Sequence, residues 1–326
     1  MLHGKHPPQG SKRLGVLVLA ALAGCGPDGD AARTSSTVEP PRTVDASYRP
    51  VIPEPAFQAN QGPVVCVDET HNNFHTSVGT YAPFTDALRT DGYRVRRFTE
   101  RGSEALAGCG VLVIADAQPP ARSGDPPTFP SVEVEEINRW VRGGGALFLI
   151  TDHMPDPGAV QDLSSSFGIE LHDGYVFLGS PEEASGAILF REEDGTLSTD
   201  PLFRGMGPDD KVTQVATFLG SALRGPEAFR SLLTLGPGAR SWAPRQYYRF
   251  EDDTPVLDVS GWSQGGVLEF GSGRLAVFGE AAMFTAQIFD DGRVKAGMNA
   301  PEARDNLRLL LNVMRWLSRI GDDWSR

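Results

Sequence analysis

Short apolar runs punctuate the first half of the chain after residue 60. Val64–Asp68, Val111–Ala115 and 146–151 are each five or six residues of mostly apolar side chains, the signature of strands buried on both faces, and 93–98 reads as a further strand. Helical patterns fall between them. A helix is expected over 81–91, with Phe84 and Leu88 on one face and Gly92 placed to stop it. A shorter one is expected near Ser103–Ala107. In Ser131–Arg142, Val134, Ile137 and Val141 fall at i, i+3 and i+7, one helical stripe. Strand–helix–strand alternation implies right-handed crossovers and a mostly parallel sheet, an α/β architecture.

From about 168 to 261 the pattern changes to short strand-like runs at Tyr175–Leu178, 187–190, 212–218 and 232–235, without a long amphipathic helix. This stretch reads as a β-rich insertion packed on the main sheet. Runs at 267–270 and 275–278 flank Gly271-Ser272-Gly273, a hairpin pattern. Gly265-Gly266 reads as a turn. A last helix is expected over 301–319, with Leu307, Leu310, Leu311, Met314 and Leu317 as its apolar stripe.

The N-terminus reads as an address. Lys5, Lys12 and Arg13 precede a short apolar stretch over 14–23, too short to span a bilayer as a permanent helix. The layout fits a cleavable signal over 1–24. The Leu22-Ala23-Gly24-Cys25 tetrapeptide resembles the lipobox of bacterial lipoproteins. That resemblance implies lipidation of Cys25, a membrane partner through that lipid, and a place in the cell envelope. Gly26, where an Asp would resemble an inner-membrane retention signal, favours the outer membrane. Residues 25–61 contain six prolines with Ser, Thr and Asp between them, and read as a disordered tether. The folded domain is then 62–320.

The chain has 326 residues and a formal charge of −12. A net acidic body argues against a nucleic-acid partner, since phosphate binding needs a basic face. Beyond Cys25 only Cys66 and Cys109 are left. Export would permit a bridge between them; two buried, unpaired thiols are the expected state.

The unusual polar residues fall at expected strand ends. In an open parallel sheet ligands bind beyond the carboxyl ends of the strands. The first strand delivers Asp68, Glu69, His71, Asn72, Asn73 and His75, and the third delivers Asp116. The strand over 146–151 delivers Asp152 and His153. The strand over 275–278 delivers Glu280 and, farther on, Met283 and Gln287; Asn299 could share the same rim. Two functional readings follow. His71, His75, Asp152, His153 and Glu280 could hold a divalent metal, since imidazole and carboxylate suit Zn, Mn or Fe. Alternatively Asp68, His71, Asp152, His153 and Glu280 could supply acid/base groups without metal. Glu69, Asn72, Asn73, His75, Asp116, Met283, Gln287 and Asn299 are then candidate ligand contacts.

Residues 64–76, opening Val64-Val65-Cys66-Val67-Asp68-Glu69-Thr70-His71, are similar to the start of an uncharacterised group of bacterial proteins. Residues 144–155, residues 278–287 and Gly297-Met298-Asn299 are similar to the same group. The group has a class I glutamine amidotransferase-like, flavodoxin-like domain. The resemblance covers about 62–320 and implies a flavodoxin-like three-layer sandwich. It carries no settled activity. A glutaminase needs an exposed Cys nucleophile on a tight turn. Here the expected elbow carries Asp152-His153, so glutaminase activity is not expected. The leading expectation is an envelope lipoprotein that binds a small polar ligand or glycan at the sheet's carboxyl edge, with hydrolysis of that ligand open. The alternative is a non-catalytic module that binds an envelope protein in a transport or motility assembly.

Overall fold

The computed structural model describes residues 35–36, 42–120, 127–184, 186–289 and 293–320. The signal peptide and Cys25 lie outside the described residues, as does most of the tether up to residue 41.

The centre is a nine-stranded sheet. Five strands run parallel in the order Arg94–Phe98, Val64–Asp68, Val111–Ala115, Ala146–Ile150, Gly273–Phe278. Beyond them the direction reverses. Ser263–Phe270 pairs antiparallel with Gly273–Phe278, and Ala222–Arg224, Glu170–His172 and Arg230–Thr234 continue antiparallel. The expectation of a flavodoxin-like, mostly parallel three-layer sandwich is therefore overturned. The molecule is β-rich, 21% helical, with a curled mixed sheet. The physical cause lies in the Gly271-Ser272-Gly273 hairpin. It returns the chain directly instead of through a helical crossover, so every strand added past it is antiparallel. Strands from 168–261 extend the main sheet itself rather than only packing on it.

Gly265 and Gly266 do not form a turn. They lie inside the Ser263–Phe270 strand, where a Cβ would stand 2.5 Å from the Phe278 ring and 2.2 Å from the Phe229 ring. The aromatic rings occupy the space that side chains would need.

The central strands are buried on both faces. On Ala146–Ile150, Phe148 and Ile150 join a core with Phe84, Phe278, Phe284 and Leu309. Leu147 and Leu149 face the other way, toward Ile137, Val141 and Leu163. The helices Ala82–Thr90 and Asn306–Leu317 cover the first face, and Ser131–Arg142 covers the second. Each fully buried Phe or Leu stabilises the fold by roughly 1.5–3 kcal/mol relative to an exposed one. The last helix starts at Asn306, later than expected. Asp305 instead spends its carboxylate on the backbone of Thr213 and Gln214.

Two expectations about the N-terminal part need correction. From Arg42 onward the chain is not a tether. Arg42–Val44 is a strand on the edge of Ala286–Phe289, and Tyr48, Ile52 and Phe57 pack against the core. Cys66 and Cys109 are not free thiols but form a disulfide that joins the Val64–Asp68 strand to the loop just before Val111–Ala115, with Cα atoms 5.7 Å apart.

Arg315 ties these layers together. Its guanidinium, 1% exposed, donates to both carboxylate oxygens of Asp91 at 3.2 and 2.8 Å. It also reaches Asp210 Oδ2 at 2.9 Å and the Glu54 carbonyl at 3.0 Å.

Candidate functional site

The sequence placed its polar candidates along one rim. The structure sorts them into three neighbourhoods with different chemistry.

The first is closed on itself. Asp68 accepts from Thr70 N and Oγ1 and meets His71 Nδ1 at 2.7 Å. On the other side His71 Nε2 lies 3.1 Å from Glu133 Oε1. The imidazole stacks on Phe129 at 3.9 Å. His71 is held between two carboxylates and lies outside the group of His75, Asp116 and Asp152 whose ligand atoms come together, which corrects its place in the expected ligand set. Glu69 accepts from Ser77 N and Oγ and pairs with Arg97. Asn73 accepts from His71 N and donates to the Ala115 carbonyl. Both brace the loop. Asn72 points to solvent at φ 51°, a left-handed position that Asn tolerates.

This neighbourhood sets a pH dependence. Burial alone would lower the His71 pKa, but the hydrogen bonds and charges of Asp68 and Glu133 outweigh it and raise it above 6.5. The stabilisation is full below the unfolded value near 6.5 and fades as pH rises through the higher folded value. The melting temperature should therefore fall over that window. His71→Gln should flatten the fall; an equal slope in both proteins would exclude the imidazolium as its source.

The second neighbourhood surrounds His153. Tyr248 Oη lies 3.0 Å from its Nε2, the Met154 carbonyl lies 3.0 Å from Nδ1, and Tyr175 stacks on the ring at 4.5 Å. Its imidazole is thus also committed, and it stands apart from the metal-ligand geometry expected of it.

The third neighbourhood is open chemistry. His75, Asp116 and Asp152 each present a ligand atom within 4.8 Å of the others. They come from three different strand ends, all at the carboxyl side of the parallel strands. His75 Nδ1 contacts Thr80 Oγ1 at 2.6 Å, which leaves Nε2 facing Asp116 Oδ2 at 3.5 Å. Tyr81 stacks on that imidazole at 4.4 Å. Asp116 sits at φ 54°, a turn at the end of its strand that aims the carboxylate inward. Among the described residues its buried Oδ1 has no hydrogen-bond partner. Asp152 Oδ1 accepts from His153 N.

Two more carboxyls crowd this centre. Asp156 is held by Gln118 Nε2 at 2.8 Å, and its charge acts on Asp116. Glu280 accepts from Ala282 N and Met283 N and feels the charge of Asp152. Burial, then the charges of Asp156 and Asp152, push the Asp116 carboxyl well above its usual range. Burial pushes Asp156 to about 6, and Glu280 moves up for burial and for Asp152. His75 moves the opposite way, to about 3, through burial and then the charge of Arg42. A neutral imidazole is the form that ligates metals.

Other expected contacts serve as structure. Met283 is core. Gln287 Nε2 donates to Thr285 Oγ1, and Asn299 Nδ2 donates to Asp45 Oδ2 and the Gln287 carbonyl, pinning the edge strand. Sequence reasoning missed Asp156, Glu133 and Arg42. Asp156 had a signal, lying four residues past Asp152 on the same strand-end turn. Arg42 had none, because it reaches the site only through strand pairing distant in sequence.

Neither a family model nor a curated protein matches the sequence. Among solved structures, the chain is similar to the N-terminal domain of mmIFT52, with a TM-score of 0.54 and 14% identity over 79% of this chain and 98% of that one. That likeness shows a shared fold. Two cytoplasmic proteins of Salmonella typhimurium score 0.47 and 0.44 at 12% identity, over 78% and 79% of this chain and 98% and 97% of theirs.

Proposed function

We propose that this chain is an exported, lipid-anchored envelope protein whose domain binds a divalent cation through His75, Asp116 and Asp152, and through it a small polar ligand. The observation that carries the site is the gathering of His75, Asp116 and Asp152, each with a ligand atom within 4.8 Å of the others, around an Asp116 Oδ1 that is buried without a hydrogen-bond partner among the described residues. Two buried carboxylates this close, Asp116 and Asp152, favour a proton or a cation between them. One imidazole and two carboxylates suit Zn, Mn or Fe. Three protein ligands leave positions for a water and for the ligand, the arrangement that activates water for hydrolysis. Export is supported by Leu22-Ala23-Gly24-Cys25 and agrees with the Cys66–Cys109 bridge, since disulfides persist in oxidising compartments.

The test is calorimetric titration of chelator-treated protein with Mn²⁺ and Zn²⁺. One cation per chain should bind and raise the melting temperature. At a hundredfold excess over Kd the gain is about 2.7 kcal/mol. His75→Ala and Asp152→Asn should each lose the effect. Absence of binding in the wild-type chain would leave the carboxyls as a protonated structural knot and return the domain to the protein-interaction reading.

A further inference from the structure

His75 meets an acid through one ring nitrogen and a hydroxyl through the other. Its Nε2 faces Asp116 Oδ2 at 3.5 Å, and its Nδ1 lies 2.6 Å from Thr80 Oγ1. The ring is 1% exposed, stacked on Tyr81 at 4.4 Å and met edge-on by Phe74 at 5.1 Å. The turn that carries Thr80 is tied on both sides. Ser77 N and Oγ donate to Glu69, and the Ser77 carbonyl accepts from Thr85 Oγ1 at 2.9 Å. Tyr81 Oη donates to the Ala281 carbonyl at 3.0 Å. Thr80 is thus held against Nδ1 just ahead of the Ala82–Thr90 helix.

An imidazole that ligates a metal is neutral and carries one N–H, so the partner of one nitrogen governs the other. With the proton on Nε2, that nitrogen points an N–H at Asp116 and has no lone pair for a cation. With the proton on Nδ1, the N–H donates to Thr80 Oγ1 and Nε2 turns a lone pair toward the acids. A hydroxyl serves both states, because it can donate or accept as its hydrogen rotates. His153 differs in this respect. Its Nδ1 has the Met154 carbonyl, which can only accept.

We propose that Thr80 is a positioning residue of the cation site, its hydroxyl donating to His75 Nδ1 in the empty site and accepting from Nδ1–H when a cation sits on Nε2. This rests on the cation reading above and adds the group that readies its imidazole. The ring keeps one proton throughout: one leaves Nε2 for solvent and one arrives at Nδ1. Partners of this kind fix the tautomer and orientation of a ligating His.

The experiment uses the full chain. Zn²⁺ is titrated calorimetrically into chelator-treated wild type, Thr80→Val and Thr80→Ser. Thr80→Val keeps the shape without the hydroxyl and should bind Zn²⁺ about ten- to a hundredfold weaker. Thr80→Ser restores the hydroxyl and should bind close to wild type. Nitrogen-15 spectra of His-labelled protein read the tautomer directly, with the His75 signals identified as those missing from His75→Ala. They should show Nε2–H in the empty wild type and Nδ1–H in the Zn²⁺-loaded one, a change that a merely structural role for Thr80 would not produce. Should Thr80→Val fail to fold, these wild-type spectra decide. Failure of the wild type to bind Zn²⁺ overturns the cation reading and this inference with it. Zn²⁺ binding with equal affinity in wild type and Thr80→Val, equal weakening in Thr80→Val and Thr80→Ser, or a proton position unchanged by Zn²⁺, overturns the role of Thr80 alone.

Discussion

Asp116→Asn should raise the melting temperature of the cation-free protein and abolish its cation binding. The two effects share one cause. Asp116 is buried among Asp156 and Asp152, and its Oδ1 has no donor. An amide of the same shape removes one acid from the cluster, and its NH₂ can donate to the Asp156 carboxylate. The backbone tolerates the change, because φ 54° is a conformation Asn adopts more readily than most residues. The gain should be on the order of 1–2 kcal/mol at neutral pH, the scale of a relieved buried polar group. An amide oxygen is a poorer cation ligand than a carboxylate, and affinity should drop by at least about a hundredfold, more than the loss typical of outer-shell changes. Thermal melts in chelator and titration with Mn²⁺ read the two halves separately. A lower melting temperature in chelator would mean that the carboxyls already form a settled hydrogen-bonded pair and that the site stores no strain. Such opposition between stability and binding is what functional sites show when polar groups are held for a ligand rather than for the fold.

Arg315→Met should cost about 3–5 kcal/mol of folding stability, the scale of breaking a buried ion pair by removing one partner. Methionine fills much of the volume but leaves Asp91, fully buried, with only the Ala56 N–H at 2.8 Å, among the described residues, to answer its charge. The same change releases Asp210 and the Glu54 carbonyl. Urea denaturation should show the midpoint falling at unchanged slope. A double change with Asp91→Asn should recover part of the loss, because no buried charge is then left alone. Full stability in Arg315→Met would show that the guanidinium contributes specificity and no net energy.

Much of the fold was legible along the chain. The runs at Val64–Asp68, Val111–Ala115 and 146–151 are strands, and Ser131–Arg142 is a helix with the expected bounds. These succeed because apolar periodicity is a local property and burial on both faces needs an unbroken apolar run. Direction of pairing is not local. Nothing in the residues 222–224 or 170–172 says that they pair antiparallel with each other and extend the sheet past Ser263–Phe270. That depends on a hairpin farther along the chain. The packed stretch after Arg42 was missed for the same reason. Its apolar residues are too sparse to form a core alone and pack only against the core built by the rest.

The candidate site divides along the same line. That His75, Asp116 and Asp152 would gather at one edge could be argued from strand ends, since the carboxyl ends of parallel strands must lie together. Which of the neighbouring imidazoles would be available for a ligand could not. His71 and His153 have the same residue type and similar positions, yet Glu133, Tyr248 and the Met154 carbonyl engage their nitrogens. Those partners come from a helix more than sixty residues away, a turn nearly a hundred residues away and the next residue in the chain. The sequence by itself determined the strands, the central helices and the acidic character of their carboxyl edge, because those follow from residue type and period. The tertiary structure decided the mixed sheet, the disulfide, the Arg315 clamp and the meeting of the His75 imidazole with Asp116 and Asp152, because each depends on distances between segments that no local pattern encodes.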